Sequence, residues 1–150
     1  MGTSAVQRLA VLAVTAIGLC APVAVQAQDK AWSEGTVWTV TMIRVKPGMF
    51  DMYMRDLLPM RKKINDEAKK QGLVLSSHVL AGNASGRDDF DLMILEEYKN
   101  WAAFDGLTAK YDAMMKSIVG PEDKQVQVMT KRTEVREVVG EKVMQEIVTR

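Results

Sequence analysis

The stretch "LVLSSHVLAGNASGRDDFDLMILEEY" (73–98) decides the fold. Its first nine residues are Leu- and Val-rich, with His78 the one titratable group among them, and "FDLMILEEY" (90–98) is a second mostly apolar run. Between them "GNASGRDD" (82–89) concentrates Gly, Asn, Ser and Asp, the residues that turn a chain. Two β-type runs joined by so short a loop read as a hairpin. What flanks the hairpin on each side then sets the architecture.

Towards the N-terminus, "MFDMYMRDLLPMRKKINDEAKKQG" (49–72) changes period. Phe50, Met54, Leu57, Ile64 and Ala68 fall on one helical face, and Gly72 is placed to end the helix. Pro59 should kink it, because proline has no N–H for the carbonyl of Arg55. Before that helix, "TVWTVTMIRVKPG" (36–48) is a β-branched strand closed by Pro-Gly. Beyond the hairpin, Asn100 can cap a helix whose stripe is Phe104, Leu107, Tyr111, Met114 and Ile118, with Gly120 at its end. Pro121, Glu122 and Asp123 open another helix reaching about Val135, and "EKVMQEIVT" (141–149) reads as a last, half-buried strand.

The order is β-α-β-β-α-β with an extra helix before the last strand. That is the ferredoxin-like α+β arrangement, one antiparallel sheet with helices on one face. The other face needs cover, and a second copy stacked sheet against sheet supplies it, so a homodimer is expected.

The first 27 residues read differently. Arg8 precedes the apolar run "LAVLAVTAIGLCAPVAV", and Val25 and Ala27 fit the small-residue pattern of a cleaved secretory signal. The run is short and Ala-rich for a membrane span, and Leu19 before Cys20 argues against a lipoprotein. Cleavage after Ala27 would leave residues 28–150 as one exported domain in the periplasm or outside the cell. Of the 20 Lys and Arg only Arg8 is lost, leaving 19 against 19 Asp and Glu. Such a balance offers no electrostatic footprint for nucleic acid or an anionic membrane. Cys20, the single cysteine, leaves with the signal, which removes disulfides and thiolate chemistry from the mature chain.

The element order, "EAKKQGLVLSSHVL" (67–80) joining helix to strand, and "LEEYKNWAAFDGL" (95–107) leading from strand to helix resemble the dimeric α/β-barrel superfamily. That group includes antibiotic-biosynthesis-type monooxygenases, haem-degrading monooxygenases and NIPSNAP-like proteins. The resemblance implies a dimeric barrel over residues 36–149, while the chemistry of the group varies widely. Its haem-degrading members carry an iron-ligating histidine on the helix after the third strand. No histidine occurs in "NWAAFDGLTAKYDAMM" (100–115), so haem degradation is not expected, whereas cofactor-independent monooxygenase, cyclase or isomerase chemistry on a planar organic substrate is.

Alternation along the second strand places Val74, Ser76, His78 and Leu80 on one side and Leu73, Leu75, Ser77 and Val79 on the other. The second set is the more apolar and should lie under the helices. His78 then faces the opposite way, where it could serve as acid or base or simply be hydrogen-bonded at a dimer seam. Arg44 ends the first strand, and Glu96 and Glu97 stand near the end of the third. With those strands taken as parallel neighbours, the three would meet at one sheet end. Arg44 would orient a carbonyl or anionic group and Glu96 would act as a base, or they would form an ordinary ion pair. Trp38, Tyr98 and Trp101, with Ser76, would wall a planar ligand, although aromatic residues equally suit a dimer interface.

"GMFDMYM" (48–54) raises thioether ligation of copper(I). Met54 belongs to the core stripe and Met52 does not, so adaptable core filling accounts for the methionines better. Zinc would need several carboxylates around one histidine. No cofactor and no metal are expected. A non-catalytic structural or ligand-carrying dimer of the cell envelope is the alternative to an enzyme.

Overall fold

A computed structural model describes residues 31–86 and 88–149. The expected signal segment, with Cys20 and the cleavage point, lies outside the described residues. The elements run β1 (Trp32–Val45), α1 (Phe50–Lys70), β2 (Ser76–Ala81), β3 (Leu92–Tyr98), a short 3-10 turn (Trp101–Phe104), α2 (Leu107–Ile118), α3 (Glu122–Val135) and β4 (Arg136–Thr149). The four strands form one sheet in the order β2-β3-β1-β4, every neighbour antiparallel. This is the expected ferredoxin-like α+β fold, extra helix included.

The register defines the two faces. Val37, Ile43 and Val45 of β1, Leu92, Ile94 and Tyr98 of β3, and Val79 of β2 face the helices. They pack in two separate apolar groups. At one end Val37 and Tyr98 meet Ala68, Leu73, Val74 and Met114. At the other, Ile43, Val45, Leu92 and Ile94 meet Tyr53 and Leu57 of α1. The opposite face carries Trp38, Val40, Met42, Met93, Leu95, Ser76, His78, Leu80 and Met144, with no helix of the described residues over it.

Local chemistry explains the element ends. After Lys70, Gly72 adopts a left-handed φ of 69°. Its N–H donates to the carbonyl of Lys69 at 2.9 Å and the N–H of Leu73 donates to that of Ala68 at 2.8 Å. This pair of bonds is the Schellman closure, and Leu73 and Ala68 lie in the same apolar group as its accompanying contact. The helix runs through Pro59 as one element.

Several boundaries differ from the sequence reading. The buried stripe of α1 is Tyr53, Leu57 and Ala68, while Phe50 stays partly exposed, so the helix is rotated relative to the expected face. Both Leu73 and Val74 are buried and Leu75 is exposed, because the alternation begins only at Ser76. The helix expected from Asn100 is divided: Gly106, at a φ of 66°, separates the 3-10 turn from α2. β4 begins at Arg136 rather than after Gly140, since α3 passes directly into strand. A bulge between Met42 and Ile43 then shifts its pairing with β1, which hides the strand's period in the sequence.

Candidate functional site

Between the two apolar groups, the helix-facing side of the sheet turns polar. One cross-strand row reads Ser77, Glu96, Thr39 and Val143, and the next Val79, Ile94, Thr41 and Glu141. Polar groups half-buried beneath helices must be paired or hydrated. α1 supplies the pairing through Arg61, whose Nη2 donates to Glu96 Oε1 at 3.1 Å and to Ser77 Oγ at 2.7 Å. Asn65, one turn further, donates to the same Ser77 oxygen at 3.0 Å. The other carboxylate oxygen of Glu96 accepts the hydroxyl of Tyr98 at 3.0 Å, and Tyr98 in turn shares a hydrogen bond with Tyr111 of α2.

Beside this network the helices leave a cleft over β1 and β4. A cavity of about 260 Å3 lies between α1, α3 and the sheet, lined by Thr39, Thr41, Arg61, Glu96, Arg132, Arg136 and Glu141 with Leu57, Ile94, Met129 and Val138. It adjoins a second space of about 290 Å3 that shares Thr39, Thr41, Glu96 and Glu141 and adds Tyr98 and Val143. Three guanidinium groups thus converge on two carboxylates. Arg61 is committed to Glu96, but among the described residues neither Arg132 nor Arg136 has a carboxylate within 4.0 Å. The Arg136 guanidinium sits 5.6 Å from the ring centre of Tyr53, a cation–π contact. Among the described residues Arg61 Nε is buried without a partner, while the buried Tyr53 hydroxyl has the Arg136 guanidinium as its polar neighbour.

The electrostatics follow from this burial. Burial, and then the adjacent Glu96 carboxylate, hold the Tyr98 hydroxyl far above its ordinary range. The same two causes push Tyr111 up to about 12. Burial also raises Tyr53, against the opposing pull of Arg136, Arg132 and Arg61. For Arg132 burial works the other way and lowers the guanidinium. These are the only three tyrosines of the chain. Groups whose folded pKa is raised contribute stability that is complete below their unfolded value of about 10 and lost as pH climbs towards the folded one. Tyrosinate absorbance is therefore expected to stay flat past pH 10 and then rise in one steep step together with the loss of circular dichroism. A gradual titration centred near 10 with native dichroism retained would contradict the buried network.

The residues singled out in the sequence fall into separate places. His78 does face away from the helices, is exposed, and stacks near Trp38 with ring centroids 6.2 Å apart. Ser76 is on that same face and donates to Glu97 Oε2 at 2.6 Å. Glu96 and Tyr98 are on the other side of the sheet, inside the cleft, so the sheet itself separates them from His78. Arg44 does not meet Glu96 or Glu97. β1 and β3 are antiparallel, not parallel, so their C-terminal ends lie at opposite ends of the sheet, with Thr39 opposite Glu96. Arg44 instead donates through Nε to the carbonyl of Asp89 at 3.0 Å and pairs with Glu137 at 3.5 Å. Trp101 is exposed, on the helix side, with its indole N–H bonded to Gln145 of β4.

Arg61, Arg132 and Arg136 were not singled out, although two of them left a trace. Tyr53, Leu57, Arg61, Ile64 and Ala68 are spaced as one helical stripe, and Val128, Arg132 and Val135 as another. An arginine at an otherwise apolar stripe position is a buried charge in need of a purpose.

The chain matches no protein-family model and no curated protein. Among solved structures it is similar to a dimeric ferredoxin-like protein from an uncultured marine organism, at 14% identity and a TM-score of 0.50 over 79% of this chain and 98% of that one. It is also similar to protein SO0527 from Shewanella oneidensis, at 14% identity and a TM-score of 0.48 over 79% of this chain and 97% of that one. At 14% identity the likeness to the marine protein is one of fold alone, and that fold is ferredoxin-like.

Proposed function

We propose that this chain is an exported homodimeric protein that binds a small planar organic anion in the cleft between its helices and sheet. The observation that carries the reading is the meeting of three arginines in one cavity, two of them without a carboxylate partner. A guanidinium removed from water and left unpaired is costly, and an anionic ligand removes that cost. Thr39 and Thr41 add hydroxyls on the cleft floor, and Tyr98 adds an aromatic wall, its hydroxyl being donated to Glu96. The Arg61–Glu96 pair fixes the side nearest α1.

Homodimer formation is supported by the bare face of the sheet. Trp38, Met42, Met93 and Leu95 stand there, with Leu80 and Met144 more than half exposed. In this reading His78, Trp38 and Ser76 belong to the seam between copies, and Glu96, Tyr98 and the arginines to the ligand site. Any turnover of the monooxygenase, cyclase or isomerase kind would take place in the cleft.

Titration with benzoate and hydroxybenzoates, followed by tryptophan fluorescence, tests the site. Saturable binding is expected, weakened about 10- to 100-fold in Arg136→Ala, the loss of one charge-assisted contact. Absence of saturation, or equal affinity in Arg136→Ala, would overturn the reading.

A further inference from the structure

On the far side of Leu57 and Arg132 the α1–α3 junction opens into a second cavity, of about 430 Å3. This is within the range of small-molecule sites. Its walls are mostly apolar, with Met52, Met60, Val128 and Val135 facing Tyr53 and Leu57. Leu57 and Arg132 line this groove and the polar cleft alike, so those two side chains alone are shared between the two spaces. Tyr53, 2% exposed, stands in the groove wall with the charges of Arg136 and Arg132 beside its hydroxyl.

We infer that the ligand of the cleft is amphiphilic: its anionic head lies between Arg132 and Arg136, and an apolar tail passes Leu57 into the α1–α3 groove. This rests on the cleft being an anion site and names the kind of anion. The physical argument is the arrangement of unmet demands. The cleft has surplus positive charge and a mixed wall, in which Leu57, Ile94, Met129 and Val138 stand beside the charged groups. The groove has apolar wall that includes two methionines, side chains that adapt to irregular tails. Arg132 stands between them with a long aliphatic stem for the tail and a cationic end for the head. A compact polar anion would satisfy only the first space, and a neutral lipid only the second.

Calorimetric titration of the whole chain with benzoate, 4-butylbenzoate and 4-octylbenzoate tests this. Affinity is expected to rise about threefold to fourfold for each methylene buried, until the groove is filled. Val128→Asn should abolish that rise while leaving benzoate binding unchanged, and Arg132→Gln should weaken every member of the series. Both substitutions are on helix α3, and circular dichroism verifies that the variants are folded. Equal affinity along the series, or a rise that persists in Val128→Asn, overturns the amphiphilic ligand yet leaves the cleft as an anion site. Failure of all three benzoates to bind overturns both.

Discussion

Glu96→Leu is expected to destabilise the protein by about 2–3 kcal/mol, because it strands Arg61 beneath α1. The side chains of Arg61 and Glu96 are 15% and 21% exposed, so water reaches the pair to some extent and the loss falls below the roughly 3–5 kcal/mol of a fully buried ion pair. Arg61 would keep Ser77 as acceptor, but its charge would have no counterpart, and the Tyr98 hydroxyl would lose its acceptor as well. The double variant Arg61→Met with Glu96→Leu is expected to recover most of that loss, since replacing both partners by apolar groups removes the unpaired charge. Urea unfolding of the two single variants and the double one measures the cycle. A double variant as unstable as the sum of the two single ones would show that the pair does not act as a unit. Ligand binding in the cleft separates the roles further: the folded double variant should retain the anion response that depends on Arg136.

Ile43→Ala is the second large effect, about 3–4 kcal/mol. Ile43 has no exposed surface, pairs with Leu92 across the strands, and packs in the group that holds Tyr53 and Leu57. The cavity left behind has few ways to collapse, because sheet backbone bounds it on one side and α1 on the other. Domains of this size are stable by only about 5–15 kcal/mol, so the loss should appear as a large drop in the urea midpoint. Val40→Ala provides the contrast. Val40 is also buried, but on the bare side of the sheet, among Trp38, Met42 and Leu95. With a second copy over that face, its cost should grow with protein concentration, as that of Ile43→Ala should not. A loss in Ile43→Ala below about 1 kcal/mol would contradict the two-group core.

Both effects depend on how the helices sit on the sheet, and this is where the sequence was least explicit. The hairpin, the helix ends at Gly72 and Gly120, and the fresh start at Pro121 could be read because each is a local event governed by one or two residues. The rotation of α1 could not. Phe50 and Tyr53 compete for the same stripe, and only the position of β3 decides that Tyr53 goes in. The expected grouping of Arg44 with Glu96 failed for a simpler reason: neighbours in an antiparallel sheet run in opposite directions, so the C-terminal ends of β1 and β3 lie at opposite ends of the sheet.

The sequence by itself determined the order of the elements, the ferredoxin-like fold and the face that His78 presents, because these follow from periodicity and turn chemistry within short windows. Only the tertiary structure decided which face of the sheet carries the cavity, and which charges line it. Arg61, Arg132 and Arg136 come from two helices' worth of separation and the first residue of a strand, and nothing in local spacing brings them together. Their meeting is a product of packing: α1 and α2 cover the ends of the sheet with apolar side chains and leave its polar middle to Arg61 and the arginines of the α3–β4 junction.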